Sequence, residues 1–514
     1  MDKRFNRHRR LSDTLSDLSL RLEAARRLPM PVDPLQLAIF IAITALIAGL
    51  TYRRVTQDTA NHPAIADRRE VFLAGKGLGW MVVAGSITLT NLSTDQLVGM
   101  NGNQMLLLVW WELSAVVGLF ILAKVILPVY YRYECTTTTE LLEKRYGDIK
   151  IRTLIGALFL LGNLFIFIPV TLYGGSLFMQ SMFNVDLPLM VIAVGFAVVG
   201  SAYAVLGGLR AVAISDAYSG VLLLSLGLAV VVLALASIDF DLSGIPAERL
   251  TLIGDNDSPI PWHTLLTGML FIQIFYWGTN QTITQRAMAS PTVEEGQKGV
   301  LAAAIIRLLI IPPLVVIPGI VSYKLYGDIG DAAFGRVVGD VLPLWLSGAF
   351  AAAIAAAVLT TVNSVLNAST ALYVCDVHEP YIHKEPDLRR LNLLISVSFI
   401  TIGVLMVPVY ATADSIINLV QELYGLLSMP ILSAFIVGLL FRDVTQGAAI
   451  VAVVLGVLLY GFFSFVWAPF HYIHMMFITV IFCVATALMV SRFIFGTSPR
   501  FAPAIALGAR EPQI

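Results

Sequence analysis

Runs of about twenty apolar residues recur thirteen times along this chain, near 34–52, 79–105, 107–130, 151–180, 187–206, 212–237, 262–287, 300–323, 342–375, 391–411, 414–440, 446–467 and 470–494. Twenty residues of α-helix rise about 30 Å, the thickness of bilayer hydrocarbon. Hydrocarbon offers backbone N–H and C=O groups no partner, so each run is expected to be a helix that satisfies its own hydrogen bonds. Only 13% of the 514 residues are charged, about half the share usual in a soluble protein, which argues against one large water-soluble core. The chain reads as an all-α, polytopic membrane protein with about 13 transmembrane helices.

Lys and Arg set the orientation. The odd-numbered connections and the C-terminal tail carry twenty of them, against three (Arg249, Lys324 and Arg336) in the even-numbered ones. This places the first connection and the C-terminus in the cytoplasm and the N-terminus outside, in a plasma membrane or bacterial inner membrane. Lys124, Arg389 and Arg390 read as snorkelling residues near cytoplasmic helix ends. The basic tail at 1–33 runs against this orientation; it is either an amphipathic tail or precedes a true start at Met30. The intended organisation is the tail, an extra helix at 34–52, five-helix units at 79–237 and 262–440, and two final helices at 446–494. Cys135, Cys375 and Cys483 lie far apart and suggest neither a disulfide framework nor a metal centre.

Two spans break the apolar rule. LTNLSTDQLVGMNG (89–102) places six polar residues nearly in succession at membrane depth, and FIQIFYWGTNQTITQR (271–286) repeats the pattern five helices later. Non-helical backbone survives at that depth only against protein or a water-filled cavity. Interrupted helices at 79–105 and 262–287, in corresponding positions of two units, point to an inverted repeat with a binding site between the breaks. The alternative is two intact helices whose polar side chains bond their neighbours. A third span, AAAVLTTVNSVLNASTALYVCD (355–376), is dense in neutral oxygens. Such oxygens suit a hard monovalent cation, although Ser and Thr also bond the carbonyl four residues back.

Six segments in order, LTNLSTDQLVGMNG, TTTTELLEKRYG (136–147), GGLRAVAISDAYSG (207–220), YWGTNQTITQRAMAS (276–290), EEGQKG and LNASTALY, resemble the sodium:solute symporter family. The likeness runs from about residue 70 to 440 and is strongest to the sugar branch, with its sodium/glucose, sodium/galactose and bacterial sialic acid and sugar transporters. The resemblance implies Na+ as coupling ion, held by the carbonyls of Leu89, Leu92 and Ala357 and the hydroxyls of Thr360 and Thr361. Some members bind a second sodium; the matching positions are Asp216, Thr360, Asn363 and Ser364, with Asn363 departing from the usual hydroxyl.

The resemblance also implies sugar contacts at Gln96, Glu112, Gln273, Arg307 and Gln421, and gates at Met100, Trp111 and Tyr276. Gln273 and Arg307 stand where the galactose carrier has Asn and Lys, and Ala115 replaces a contacting serine, with Ser114 adjacent. Read without the family, amides, a carboxylate and a guanidinium at membrane depth suit a polyhydroxylated solute, whose hydroxyls both donate and accept. Arg307 can pair with Glu112, bond neutral hydroxyls or clamp a carboxylate with its bidentate fork. Trp111 fits an aromatic lid or an interfacial belt, and Met100 fits a gate or ordinary packing.

The expectation is a sodium-coupled symporter importing a sugar or sugar-like organic solute by alternating access. The same scaffold could carry a carboxylate or amino-acid-type solute, or couple to protons through Asp95 or Asp216. A non-transporting solute sensor would need an output module larger than the tail after about residue 495. An enzyme is not expected, since the sequence displays no activated nucleophile, His-based metal cluster or phosphate loop.

Overall fold

The computed structural model describes residues 33–61 and 72–503. The basic tail up to residue 32, the alternative start at Met30, and Arg68 and Arg69 lie outside these residues. The described chain is α1 (Pro34–Asn61), α2 (Trp80–Asn91), α3 (Thr94–Gly102), α4 (Leu106–Arg132), α5 (Glu140–Tyr146), α6 (Ile149–Phe183), α7 (Leu189–Ser237), α8 (Gly268–Gly278), α9 (Gln281–Met288), α10 (Val293–Tyr326), α11 (Ala333–Val341), α12 (Leu344–Tyr373), α13 (Leu388–Tyr410), α14 (Ile416–Leu440), α15 (Gln446–Phe465) and α16 (Tyr472–Phe493). Ten helices among the described residues are long and apolar enough to cross a membrane. A two-stranded ribbon, Phe441–Arg442 with Arg500–Phe501, ties the end of α14 to the C-terminal segment. Cys135, Cys375 and Cys483 are buried and form no disulfide.

The two spans read as interrupted are broken where the polar residues fall. At the end of α2, Leu92 N still donates to Thr88 O at 2.9 Å, but Ser93 N turns to Asn91 O at 2.7 Å. Ser93 is extended, at φ −88° and ψ 174°. The usual donor to Leu89 O, four residues on, is thereby diverted. In the second break Thr279 and Asn280 leave the helix, and the Asn280 side chain caps α9 by accepting from Thr282 N at 2.9 Å. Gln281 then accepts from Thr138 N at 2.8 Å, fixing α9 to the four-threonine segment ahead of α5.

Helix α12 is the central column. It packs against α1, α6, α7, α9 and α13 as well as α2, and 89% of its most apolar window is buried, against 11% for α1. The alanines at 351–353 and 355–357 make this enclosure possible, because small side chains let neighbouring backbones approach when lipid supplies no hydrophobic drive. The spans expected at 187–206 and 212–237 form one helical run, α7, with apolar portions at Leu189–Gly200 and Val212–Ser237.

Candidate functional site

Beside the first break lies a small cavity of about 60 Å³. Its walls come from α3 (Asp95, Gln96), α4 (Trp111), α6 (Phe167), α8 (Gln273, Tyr276, Trp277), α10 (Arg307) and α14 (Gln421, Tyr424), with Asn91 at the end of α2. Close approach of α4 and α8 shapes it. A Cβ at Gly118 would sit 2.4 Å from Gln273 O, so only glycine lets the two helices meet there.

Four of the five anticipated solute contacts, Gln96, Gln273, Arg307 and Gln421, line this cavity. Glu112 stands behind it, hydrogen-bonded by Gln96 Nε2 and ion-paired with Arg307 Nη1, both partners buried. Of the roles left open for Arg307, the structure contains the ion pair. Its Nη2 also lies 3.4 Å from Gln96 Oε1, and the guanidinium rests 4.7 Å above the Trp277 ring. Gln273 is heavily engaged: Nε2 donates to Trp111 O at 2.9 Å and Ser114 Oγ at 3.0 Å, while Oε1 accepts from Trp277 Nε1 at 2.9 Å. Ser114 thus reaches the site through Gln273.

The anticipated gate residues divide. Trp111 and Tyr276 line the cavity, and Tyr276 joins an aromatic cluster with Trp277, Tyr424 and Phe167. Met100 does not line it and is wholly buried in the core. Asp95 was absent from the anticipated solute contacts, yet it borders the cavity and accepts from Ser93 Oγ. The Tyr424 hydroxyl and Arg307 Nε are buried without a protein partner. A carboxylate in a membrane span is a functional signal, and the sequence offered Asp95 only as a proton-coupling group, not as a solute contact. Tyr424 and Trp277 could not be singled out, because aromatic residues look alike whether they line a core or a cavity.

A cation could be held by the residues around the first break and α12. Thr361 Oγ1 is buried with no protein partner, and Thr360 Oγ1 donates to Ala357 O at 3.2 Å. A hydroxyl enclosed without a partner costs stability unless something completes it. The Thr360 and Thr361 hydroxyls and the Ala357 carbonyl are neutral oxygens of the kind that suits sodium.

The second anticipated set gathers differently. Asp216 Oδ2 accepts from Ser86 Oγ at 2.6 Å and Thr90 Oγ1 at 3.4 Å, and stands 3.7 Å from Arg286 Nη2. Ser364 accepts from Arg286 and donates to Thr360 O at 2.6 Å. Both amide atoms of Asn363 are buried without partners. Arg286 was not among the anticipated site residues.

A profile of the sodium:solute symporter family matches residues 71–456. YidK, an uncharacterized symporter of Escherichia coli strain K12, is 33% identical over 491 residues, covering 89% of this chain and 83% of its own. The sodium/glucose cotransporter of Vibrio parahaemolyticus is 28% identical over 503 residues, 90% of each chain. The solved outward-open structure of a Na+-coupled sialic acid symporter superposes with a TM-score of 0.77 at 17% identity, covering 92% of this chain and 99% of that one. At that identity the likeness speaks for the fold.

Proposed function

This chain belongs to the sodium:solute symporter family, and on that premise we propose that its solute is an uncharged sugar or sugar-like polyol, imported with sodium. It is a multi-pass membrane transporter with Na+ as coupling ion and a small organic solute as substrate, and not an enzyme. The proposal concerns which solute, held where.

The observation that carries it is the charge state of the cavity. Arg307 is already neutralised by Glu112, leaving amides, aromatic faces and the Asp95 carboxylate to meet a ligand. Among the lining residues no cation is left over to clamp an acid. Gln96, Gln273, Gln421 and the Arg307–Glu112 pair would bond hydroxyls, and Trp111, Tyr276 and Trp277 would pack against C–H faces. Asp95 favours a second reading, a solute bearing an amine, over one bearing a carboxylate.

We place sodium at Leu89, Leu92, Ala357, Thr360 and Thr361. Bound there, the ion would tie the break between α2 and α3 to α12 and complete the pocket that contains Gln96. By linkage, sodium and solute then tighten each other's binding by the same factor. We assign α2–α7 and α8–α14 to the two inverted five-helix units at 79–237 and 262–440, with 34–52 and 446–494 outside the repeat. We count α7 as two crossings, one for each of its apolar portions, Leu189–Gly200 and Val212–Ser237. Thirteen crossings put the N-terminus outside and the C-terminus in the cytoplasm. Met100 and Trp111 belong to the outer closure and Tyr276 to the inner one.

The test is a thermal-shift screen of monosaccharides, polyols, amino sugars and sialic acids, each with and without sodium, followed by uptake into proteoliposomes with choline replacing sodium at fixed pH. Sodium-dependent stabilisation by neutral sugars is expected. Stabilisation by sialic acids alone, or uptake undiminished in choline, would overturn the reading.

A further inference from the structure

Three histidines, none of which lines the cavity, gather where α8 meets α16. His263 lies in the turn ahead of α8, His471 caps the start of α16, and His474 stands in the first turn of α16. All three are half-buried. The two elements touch closely: a Cβ at Gly268, the first residue of α8, would lie 1.8 Å from Ile473 O, so only glycine permits the seam. In the orientation proposed above, this seam faces the outside.

The hydrogen bonds decide which nitrogen of each ring carries the hydrogen. His263 Nε2 stands 3.0 Å from Asn256 Oδ1, an oxygen that can only accept, so the hydrogen is on Nε2 and Nδ1 keeps its lone pair. Thr267 Oγ1 donates to Thr264 O at 3.2 Å, which leaves it to accept from His474 Nδ1 at 3.0 Å. The lone pair of His474 is then on Nε2. These lone pairs point at one another, His263 Nδ1 to His474 Nε2 at 2.6 Å, between rings only 8° from parallel. At that distance they repel unless a cation takes both.

A proton could use only this pair, whereas a transition-metal ion fits more of the surroundings. Imidazole suits such ions, and a ligating histidine donates its far N–H to an oxygen or water, as both rings do here. A third imidazole, His471, lies three residues before His474 and so on the same side of the helix start. Its Nδ1 accepts from Ile473 N over a long 3.4 Å, a contact it can give up. Among the described residues no group of three His, Cys, Asp or Glu side chains is already arranged to hold a metal ion, so the site has two fixed ligands, with water or His471 completing it. Zn–N bonds of about 2.0–2.1 Å in a tetrahedron set the nitrogens roughly 3.3 Å apart, so binding spreads the two rings by about 0.7 Å.

We propose that His263 and His474 form a binding site for a divalent transition-metal ion of the zinc class, reached from the outside, whose occupancy pins α8 to α16. Because α8 carries Gln273, Tyr276 and Trp277 to the cavity, a metal at its outer end acts on the solute site from a distance. The proposal is independent of which solute is carried and of where sodium binds.

Equilibrium binding of zinc to the full chain in nanodiscs, in a buffer without chelating groups, tests it. One zinc per chain is expected, displaced more readily by copper than by nickel and unaffected by calcium or magnesium. His263→Gln and His474→Gln, on opposite sides of the seam, should each abolish it. Asn256→Ala, which removes only the oxygen behind His263, should weaken it about tenfold, and His471→Gln should weaken it less than loss of either fixed ligand. Amide deuterium exchange along residues 268–278 should slow with zinc in the wild type and not in His474→Gln. A wild type that takes up no zinc would overturn the site and show that the pair holds a proton only. Zinc bound equally well by both folded histidine variants, or displaced by magnesium, would overturn it too. Exchange in α8 unchanged by bound zinc would overturn the pinning.

Discussion

Thr361→Val is the sharpest perturbation because it has two consequences of opposite sign. Thr361 Oγ1 is buried and bonds no protein group. Replacing the hydroxyl by a methyl of similar shape therefore breaks no internal hydrogen bond and removes a polar atom that was costly to enclose. In the absence of sodium the variant should be more stable than wild type by about 1–3 kcal/mol, the cost of an unsatisfied buried polar group. With sodium the order should reverse. An interaction between a hydroxyl and a charged partner contributes about 1.5–3 kcal/mol, and each 1.4 kcal/mol is a factor of ten, so the sodium concentration for half-maximal stabilisation should rise roughly 12- to 150-fold. Thr361→Ser, which keeps the oxygen, should stay near wild type. The assay is thermal unfolding of purified protein across a sodium series at constant ionic strength, with choline as the balancing cation. General damage would lower stability in both conditions. A Thr361→Val protein with wild-type sodium dependence would refute the assignment, and one less stable without sodium would refute the claim that its hydroxyl is an unpaid cost.

Three further outcomes are expected. Gln96→Ala should weaken solute binding in a sodium-containing titration while leaving the sodium dependence of stability largely intact; a loss of sodium response would show that Gln96 belongs to the ion site. Glu112→Gln leaves the Arg307 guanidinium buried without its counter-charge, a change that typically costs about 3–5 kcal/mol, and adding Arg307→Met should recover much of that stability without recovering transport; equal damage in single and double variants would argue against the pair as the cause. Asp331, in the turn before α11 and outside the membrane spans, caps α14 by accepting from Ile416 N at 3.1 Å, and burial raises its carboxyl from the ordinary range to about 7. Because the folded value lies above the unfolded one, its contribution is fully present below about pH 4 and is lost as pH rises through about 7, so Asp331→Asn should flatten the fall in stability between pH 4 and 8; identical pH profiles for the two proteins would contradict this.

The features legible in the sequence were those that lipid forbids. A polar run such as LTNLSTDQLVGMNG has no tolerable place in hydrocarbon unless the helix opens against protein, and both breaks fall within the polar segments. Pairings across the fold were not legible. Asp216 and Arg286 lie on different helices seventy positions apart, and nothing in the spacing says that the guanidinium enters the cluster where an ion was anticipated. Asp95 was visible as a membrane-depth acid, but its place at the cavity depends on the turn at Leu92–Ser93, whose geometry residue types do not specify.

The break between α2 and α3 bears on how far such a carrier can concentrate its cargo. A stroke that moves one elementary charge draws about 2.3 kcal/mol from each 100 mV of membrane voltage, roughly a fiftyfold gradient, and a second travelling ion would square that factor. An ion bound at that break would thereby convert membrane voltage into solute accumulation.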